Sequence, residues 1–266
     1  MHADHELNRA SWDILAAVHG QDQYYDSEAL LAGASSLIEE EEAALLRAVG
    51  SRLSGLRVLQ VQCHLGFDAI TFARRGAGVT GLDFSTVALG RAERLARQCG
   101  VEIDWLSADA TALPDALVSA FDLAWATMGI LCWIADASAW MRSVSRALRP
   151  GGKLVLIDGH PGRELPGHGS RATCAPTRRF INSGWDYASE TRTGPQVQFR
   201  HSMEGITEAA HAAGLRIRLL EEHSAISHHL RIPTVRRDDD GRYRHRVNGK
   251  AQPVLFTLIA ERSSSL

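Results

Sequence analysis

The segment VLQVQCHLGFD, residues 58–68, carries the residue types best suited to hold a cofactor. An apolar strand pattern ends at Val61, and Gly66 stands just before a helical pattern. A glycine there lets the backbone approach a ligand closely, and the free N–H groups at the start of the helix favour a carboxylate or another anion. In wound α/β proteins this loop binds nucleotides. The pattern therefore predicts a nucleotide-type cofactor, although the same loop position also serves dehydrogenases.

Two carboxylates follow at positions that strengthen this prediction. Asp83 stands seventeen residues after Gly66, at the end of the second predicted strand, where an acid can accept both hydroxyls of a ribose. Asp109 follows the third predicted strand and could hold an exocyclic adenine amine. Either acid alone could equally be a helix cap or a solvated loop residue. Because both follow strands at the carboxyl edge of the predicted sheet, together they favour a nucleoside site.

Two histidines are candidate catalytic bases. His160 follows the fifth predicted strand and His201 precedes a late helix. A histidine titrates near neutral pH, and general base catalysis contributes ~10²–10⁴-fold to a rate. The alternatives are a His160 bonded to backbone in a tight His-Pro turn and a structural or exposed His201. No metal is predicted, because the possible ligands lie in different elements without the short spacing of zinc motifs: Cys63, His64, His160, His168 and Cys174.

The elements that must position these residues alternate along the chain. Near-continuous apolar runs predict buried strands at 57–61, 78–82, 102–106, 120–126 and 153–157. Helical periodicity predicts helices at 67–75, 85–99 and 136–148 between them, and later at 203–213. Two further strands, 215–221 and 254–261, and a hairpin at 238–241 indicate an antiparallel edge. The predicted fold is a wound α/β domain: a seven-stranded, mostly parallel sheet with an antiparallel edge strand and helices on both faces.

The remaining segments predict a cover over the sheet edge. Residues 1–55 read as an N-terminal helical cap, and residues 56–266 as a core with a cap insertion at about 159–202, where periodicity is weak. The acidic run 39–42 is most simply the solvated face of a helix. Side chains that could line a pocket for a flat acceptor, rather than pack in the ordinary way, are Trp12, Tyr24, Trp133 and His160.

The chain resembles the class I S-adenosylmethionine-dependent methyltransferases over roughly residues 56–159. The resemblance lies in the order of the loop at 58–68, Asp83, Asp109-Ala110, FDLAWATMGILCWI at 121–134 and LRPGGKLVLID at 148–158. The family loop usually reads acid-x-Gly-x-Gly-x-Gly. Here the acid and the first two glycines are replaced by Gln60, Gln62 and His64, and only Gly66 remains.

A bacterial subgroup of small-molecule methyltransferases has a similar Gln-Cys-His-x-Gly loop. It also has a Trp, His and Tyr-Tyr-Asp set like Trp12, His19 and residues 24–26 here, and a His-Pro like His160-Pro161. The resemblance implies S-adenosylmethionine as cofactor. The residues that it implies for cofactor binding are Gln62, His64, Gly66, Asp83, Phe84, Asp109, Ala110, Met128 and Tyr25.

The function that this resemblance implies is methylation of a small-molecule acceptor, which could be aromatic, in bacterial specialised metabolism. The same fold and cofactor site could instead serve a cyclase or isomerase, because fold does not determine reaction. An NAD(P)-dependent oxidoreductase is disfavoured by the glycine-poor loop and the terminal antiparallel strand. A non-enzymatic binding protein is the remaining alternative.

Composition excludes several partners. The chain has 29 basic and 31 acidic residues and a net charge of -2, so no basic surface favours nucleic acid or an anionic membrane. Its four cysteines form no C-x-x-C pair, and no signal peptide or membrane-spanning run is evident. The prediction is a cytoplasmic protein, monomeric or homodimeric.

Overall fold

The computed structural model describes residues 3–20, 25–164, 178–182, 185–186, 191–229 and 234–264. The helices are α1 (Ala3–Val18), α2 (Ser27–Leu31), α3 (Glu39–Val49), α4 (Phe67–Arg74), α5 (Thr86–Gln98), α6 (Ala137–Ala147) and α7 (Met203–Ala212). The strands of the main sheet are β1 (Arg57–Val61), β2 (Gly78–Asp83), β3 (Asp104–Ser107), β4 (Phe121–Thr127), β5 (Leu148–Gly159), β10 (Leu215–His223) and β14 (Leu255–Arg262).

Seven further strands lie outside the main sheet. They are β6 (Arg178–Asn182), β7 (Trp185–Asp186), β8 (Thr191–Arg192), β9 (Gln196–Arg200), β11 (Val235–Arg237), β12 (Tyr243–Val247) and β13 (Lys250–Gln252). β6 pairs with β9 and β7 with β8, both antiparallel, within the predicted insertion. β11, β12 and β13 form a small antiparallel sheet, and the predicted hairpin lies between its first two strands.

The main sheet has the strand order β10-β14-β5-β4-β1-β2-β3. The pairs among β1 to β5 are parallel, while β14 runs antiparallel to both β5 and β10. The prediction of a seven-stranded, mostly parallel sheet with an antiparallel strand at one edge is confirmed. β14 lies one position in from the outermost strand, β10, so the two together close that edge.

Each face of this sheet packs against helices because its strands are apolar on both faces. On one face, side chains of α6 and α7 such as Trp140 and Ile206 belong to the same buried cluster as Leu59 of β1. On the other face, Leu45 of α3 and Phe72 of α4 pack with strand residues of the second cluster. Continuous apolar runs therefore become central strands, and the predicted helices on both faces are confirmed.

The N-terminal helix α1 bridges the core and the insertion. The Asn8 side chain donates to Val197 O at 2.7 Å and accepts from Val197 N at 2.8 Å, so it bonds the backbone of β9. Asp13 accepts from Ser85 Oγ at 2.6 Å, at the residue that caps the N-terminus of α5. These contacts hold α1 over the carboxyl edge of the sheet. A division into a cap at 1–55 and a core at 56–266 stays a prediction.

Across the described ranges of the chain, no helix combines the length and apolar character that crossing a bilayer would require.

Candidate active site

A cavity of ≈ 490 Å³ lies at the carboxyl edge of the sheet, where β1, β2 and β4 end beneath α2 and α3. Its lining includes eight of the residues that the sequence predicts for the site: Trp12, Tyr25, Gln62, His64, Asp83, Phe84, Met128 and Trp133. Segments distant in sequence therefore contribute to one chamber. Tyr24, His168 and Cys174 lie outside the described residues.

Three residues of the lining have an unusual backbone conformation. Gln62, His64 and Met128 have φ values of 57°, 48° and 60°, in the left-handed region that favours glycine. In the described part of the chain, only Ser119 and Asn248 are further non-glycine residues with positive φ. Residues held in such conformations cluster at functional sites, where their side chains compensate for the strain. The substitution of two family glycines thus keeps the glycine conformation and adds side chains to the cavity.

The side chain of Gln62 is held by a buried indole. Trp140 is fully buried, and its Nε1 donates to Gln62 Oε1 at 2.9 Å. The Gln62 Nε2 lies 3.5 Å from Ile130 O, which is a long contact. The amide group therefore has a preferred orientation at the end of β1.

His64 joins the cofactor loop to the N-terminal segment. Its Nε2 lies 2.9 Å from His19 Nδ1, so one imidazole donates to the other. The rings of Trp12 and Tyr25 lie edge-on to the His64 ring, with centroids at 5.1 Å and 5.0 Å. Trp12 in turn meets Trp133 at 5.3 Å. These contacts build an aromatic wall on one side of the cavity.

The close packing of Trp105 requires a glycine at position 66. Its φ is +70°, and a Cβ on it would lie 2.4 Å from Cη2 of Trp105. Gly81 on β2 faces the same indole, because a Cβ there would lie 2.3 Å from Trp105 Cζ3. Gly66 caps the N-terminus of α4 but is not part of the cavity lining. The contact that requires glycine here is with Trp105, and a close approach to a ligand stays a prediction.

Asp83 lies at the end of β2, 5% exposed, and lines the cavity. Its Oδ2 accepts from His64 N and its Oδ1 from Ser85 N, each at 2.9 Å. Burial raises the pKa of this carboxyl to about 6, although the backbone hydrogen bonds lower it. Each carboxylate oxygen has a second lone pair, so both remain able to accept a bond from a ligand hydroxyl.

Asp109 and Ala110 lie outside the cavity lining. The Asp109 carboxylate is 3.1 Å from His5 Nδ1 and accepts from Thr111 N at 2.9 Å and Thr111 Oγ1 at 2.7 Å. Burial raises the pKa of Asp109, but the bonds from His5 and Thr111 outweigh it and hold the pKa below its usual range. Ala110 is buried in the core. The structure thus joins Asp109 to α1, and its role toward adenine stays a prediction.

The two histidines predicted as bases also lie outside the lining. His160 Nε2 is 2.8 Å from Glu222 Oε1, and its Nδ1 accepts from Gly162 N at 3.0 Å. This is the His-Pro turn that the sequence offered as the alternative. His201 Nε2 lies 3.1 Å from Leu131 O and 2.8 Å from Ile134 O, and burial lowers its pKa. Both imidazoles hold backbone segments in this structure.

Asp158 was not singled out by sequence reasoning, yet it orders the loop after β4. Its carboxylate accepts from Gly129 N at 2.9 Å, Ile130 N at 3.0 Å and Leu131 N at 2.7 Å. His201 holds the carbonyls of the same loop. Together they position Met128 and Trp133 in the cavity. The sequence signal that could have identified Asp158 is its position, because it is a carboxylate near the end of a predicted strand.

Two further buried acids line the opposite end of the cavity. Asp68 accepts from Ser36 Oγ at 2.7 Å, Trp125 Nε1 at 2.9 Å and Thr127 Oγ1 at 3.0 Å. Glu41 is only 4% exposed. The prediction that the run 39–42 forms a solvated face is wrong for Glu40 and Glu41, because four consecutive residues at about 100° each surround a helix. One of them must therefore face the core.

The cavity fits an adenosyl group that carries a cationic sulfur. Asp83 offers acceptors for ribose hydroxyls at the end of β2, and Phe84 and Met128 offer apolar walls for a base. No lysine or arginine occurs among the described residues that line it, whereas Glu41, Asp68 and Asp83 do. A cavity with several carboxyl groups and no lysine or arginine in its described lining suits the positive charge of a sulfonium. Among the described residues, no group of three or more His, Cys, Asp or Glu side chains is placed to hold a metal ion.

Known proteins resemble part of this chain in sequence. Residues 58–152, from β1 into β5, match a family model described as a methyltransferase domain. Residues 58–152 therefore resemble a methyltransferase domain, in agreement with the resemblance that the sequence indicates. A curated relative, the ubiquinone biosynthesis O-methyltransferase of Rhizobium leguminosarum bv. trifolii, is 37% identical over 104 residues. That alignment covers 39% of this chain and 40% of the relative, so the chain spans less than half of the relative's length.

Two solved structures show the methyltransferase fold over a larger part of the chain. An S-adenosylmethionine-dependent methyltransferase from Mesorhizobium loti has a TM-score of 0.55 at 24% identity, covering 87% of this chain and 100% of its own. The 1,6-didemethyltoxoflavin-N1-methyltransferase of Burkholderia thailandensis, solved with its substrate and S-adenosylhomocysteine, has a TM-score of 0.58 at 17% identity. It covers 99% of this chain and 92% of its own. The family match and the shared fold support S-adenosylmethionine as the cofactor, and the place of this chain within the Gln-Cys-His-x-Gly subgroup stays a prediction.

Proposed function

We propose that this chain transfers the methyl group of S-adenosylmethionine to a small-molecule acceptor that binds in the same cavity. The observation that carries the proposal is the continuity of the chamber: one cavity is lined by the cofactor loop, by Asp83 and by residues of the overlying α2 and α3. A methyl donor at the loop and an acceptor beneath the helices would therefore meet in a space largely shielded from water.

The cofactor is placed by the residues at the strand ends. Asp83 would accept hydrogen bonds from the ribose hydroxyls, Phe84 and Met128 would contact the base, and Gln62, His64 and Tyr25 would contact the methionine portion. Asp109 has less support as a partner of adenine than Asp83 has as a partner of ribose, because its carboxylate bonds His5 and Thr111 away from the lining. Strain at Gln62 and His64 supports a role for their side chains in this placement.

When bound, S-adenosylmethionine supplies an electrophilic methyl group. The work left to this chain is to hold the acceptor in line with that group and to exclude water. Trp12 and Trp133 offer rigid aromatic surface that suits a flat acceptor. His160 and His201 have less support as bases, because they hold backbone outside the cavity lining.

Several properties of the acceptor follow as parts of the same proposal. A cavity of ≈ 490 Å³ suits a small molecule rather than a macromolecule. The net charge of -2 also favours a small molecule over nucleic acid. The names of the relatives describe O-methylation in ubiquinone biosynthesis and N1-methylation of a toxoflavin precursor. A role in bacterial specialised metabolism, a cytoplasmic location and a monomeric or homodimeric state stay predictions.

The experiment that tests the proposal is calorimetric titration with S-adenosylmethionine and S-adenosylhomocysteine, with NAD and NADP titrated in parallel. We expect the two adenosyl-sulfur ligands to bind and the dinucleotides not to bind. Binding of NAD alone would support an oxidoreductase instead. Product mass then separates the remaining reactions, because methylation adds one CH₂ to the acceptor whereas cyclisation or isomerisation adds nothing.

A further inference from the structure

Glu41 is a buried carboxyl group that the proposed function leaves unused. It lies on α3, is 4% exposed and lines the cavity. Its Oε2 accepts from Ile38 N at 2.9 Å, which forms part of a capping box at the start of α3. A glutamine forms the same capping box and avoids the cost of burying an ionisable group. The helix cap explains an amide or acid here, but it does not explain why the residue is ionisable.

The surroundings of Glu41 disfavour its charge. Burial raises the pKa of this carboxyl well above its usual value, and the charge of Asp68 raises it further. Glu40, on the same helix, adds to the increase, while hydrogen bonds from Ile38 N and Thr127 oppose it. The neutral form of Glu41 is therefore favoured more strongly than that of an ordinary exposed carboxyl group, as is common for acids in active sites.

Basic groups near Glu41 are engaged elsewhere or lie at the rim. Arg242 pairs with Glu39 and Glu40 at 2.7 Å and 3.2 Å. His228 lines the cavity, and burial lowers its pKa. Within the described lining, then, the titratable groups at this end are the acids Glu39, Glu41 and Asp68 together with His228. His228 is only partly buried, whereas Glu41 is 4% exposed, so the Glu41 carboxyl is the buried proton acceptor of the two.

We propose that Glu41 accepts the proton of the acceptor's nucleophile, and that the acceptor therefore carries a hydroxyl or an amine rather than an anionic nucleophile. The inference rests on the proposed methyl transfer. A lone pair of the oxygen or nitrogen forms the new bond to the methyl carbon. The bond from that carbon to sulfur breaks, and its electron pair goes to sulfur. The proton of the O–H or N–H group goes to the Glu41 carboxylate and passes to water when the products leave.

The same charges define which acceptors are excluded. A carboxylate nucleophile would meet Glu41 and Asp68 without a lysine or arginine in the described lining to compensate. Like charges at close range in a poorly solvated site repel strongly. A hydroxyl or a neutral amine instead donates to Glu41 before it reacts, which also orients it in the cavity.

The first test needs no acceptor. Glu41→Gln keeps the cap and removes the charge, and its melting temperature is compared with that of the wild-type protein at pH 5 and pH 8. A raised folded-state pKa makes wild-type stability fall as pH rises above the ordinary carboxyl pKa and through the raised one, so the melting temperature of the variant should increase relative to that of wild type between pH 5 and pH 8. Glu204→Gln, in the exposed first turn of α7, is the control and should show the same difference at both pH values. A pH-independent difference for Glu41→Gln would overturn the proposal.

The second test uses three aromatic probes, catechol, 2-phenylethylamine and benzoate, with S-adenosylmethionine labelled in the methyl group. We expect transfer to catechol or 2-phenylethylamine and none to benzoate. Glu41→Gln should lower kcat by ~10²-fold or more, with S-adenosylhomocysteine affinity unchanged, while Glu204→Gln behaves as wild type. Wild-type kcat should rise with pH, because the base must be ionised, and this dependence should be absent in Glu41→Gln.

Two results of this test would overturn the proposal: a Glu41→Gln variant with near-wild-type kcat, or a preference for benzoate. Failure of the underlying methyl transfer is distinguishable, because the wild-type protein would then either not bind S-adenosylmethionine or bind it without labelling any of the three probes. The proposal for Glu41 would in that case be decided by the pH dependence of the melting temperature in the first test.

Discussion

Replacing Asp83 with asparagine separates the role of its charge in cofactor binding from its role in the fold. In the wild-type protein the two carboxylate oxygens accept from different groups, His64 N and Ser85 N. An asparagine has one oxygen and one NH₂, so either orientation leaves one backbone N–H facing the NH₂. A buried donor without an acceptor costs about 1–3 kcal/mol.

The substitution also removes an unfavourable charge. The pKa of Asp83 is about 6 instead of the ordinary 3.8, which corresponds to ~3 kcal/mol of disfavoured ionisation at neutral pH. The two effects oppose each other. We therefore expect the free energy of unfolding of Asp83→Asn to lie within about 2 kcal/mol of the wild-type value at pH 7, so that the variant remains folded for binding measurements.

Cofactor affinity should fall for a separate reason. Two ribose hydroxyls donate to a carboxylate, whereas an amide can accept only through its one oxygen, and hydrogen bonds to charged groups are the stronger ones. The expected loss is about 1–3 kcal/mol, or ~5–150-fold in Kd. The ionised form of Asp83 is the one that accepts both hydroxyls, so wild-type affinity should weaken as pH falls through about 6.

The assay is calorimetric titration with S-adenosylhomocysteine between pH 5.5 and pH 8. Asp104→Asn, at the exposed start of the neighbouring strand β3, is the matched control and should bind as wild type at every pH. Asp83→Asn should bind weakly and lose the pH dependence below 7. Wild-type affinity in a folded Asp83→Asn, or an unchanged pH dependence, would refute the assignment of Asp83 to the ribose.

Three other substitutions test the surroundings of the site. Gly66→Ala places a Cβ 2.4 Å from Trp105 at a φ of +70° and should destabilise the protein by about 2–5 kcal/mol in urea unfolding; a loss below ~1 kcal/mol would contradict this packing. Asp158→Asn leaves at least one N–H of the loop after β4 unsatisfied and should lower both the melting temperature and S-adenosylhomocysteine affinity; wild-type affinity would show that the loop needs no such anchor. His160→Ala removes bonds to Glu222 and Gly162 N and should cost about 1–3 kcal/mol of stability without changing S-adenosylhomocysteine affinity, and a variant of wild-type stability would rule out the anchoring role.

Much of the fold was predictable because it depends on local patterns. Five predicted strands between residues 57 and 157 correspond to β1 to β5, since strands buried in a parallel sheet are apolar at most positions, although β3 at the sheet edge is only partly buried. Helices α4, α5 and α6 followed from their apolar spacing. Part of the site was predictable for a similar reason: Asp83 and the loop at 62–66 come directly after strands, and parallel strands place their carboxyl ends at one edge.

Other features depended on contacts between distant segments. Asp109 meets His5, which is 104 residues away, and His201 meets Leu131 O and Ile134 O rather than the cavity. Glu41 occurs in an acidic run that reads as solvated, yet it lines the cavity together with Asp68, whose charge raises its pKa. Each of these side chains has more than one plausible environment when only its neighbours in sequence are known.

The amino-acid sequence by itself therefore determined the central strands, the helices between them and the edge of the sheet at which we propose that the cofactor binds, because hydrophobic periodicity and chain order encode them. Only the tertiary structure decided which ionisable groups line the cavity and which anchor backbone. That choice depends on helix rotation and on the packing of α1 and α3 over the sheet, and these are set by many weak contacts between residues far apart in the chain.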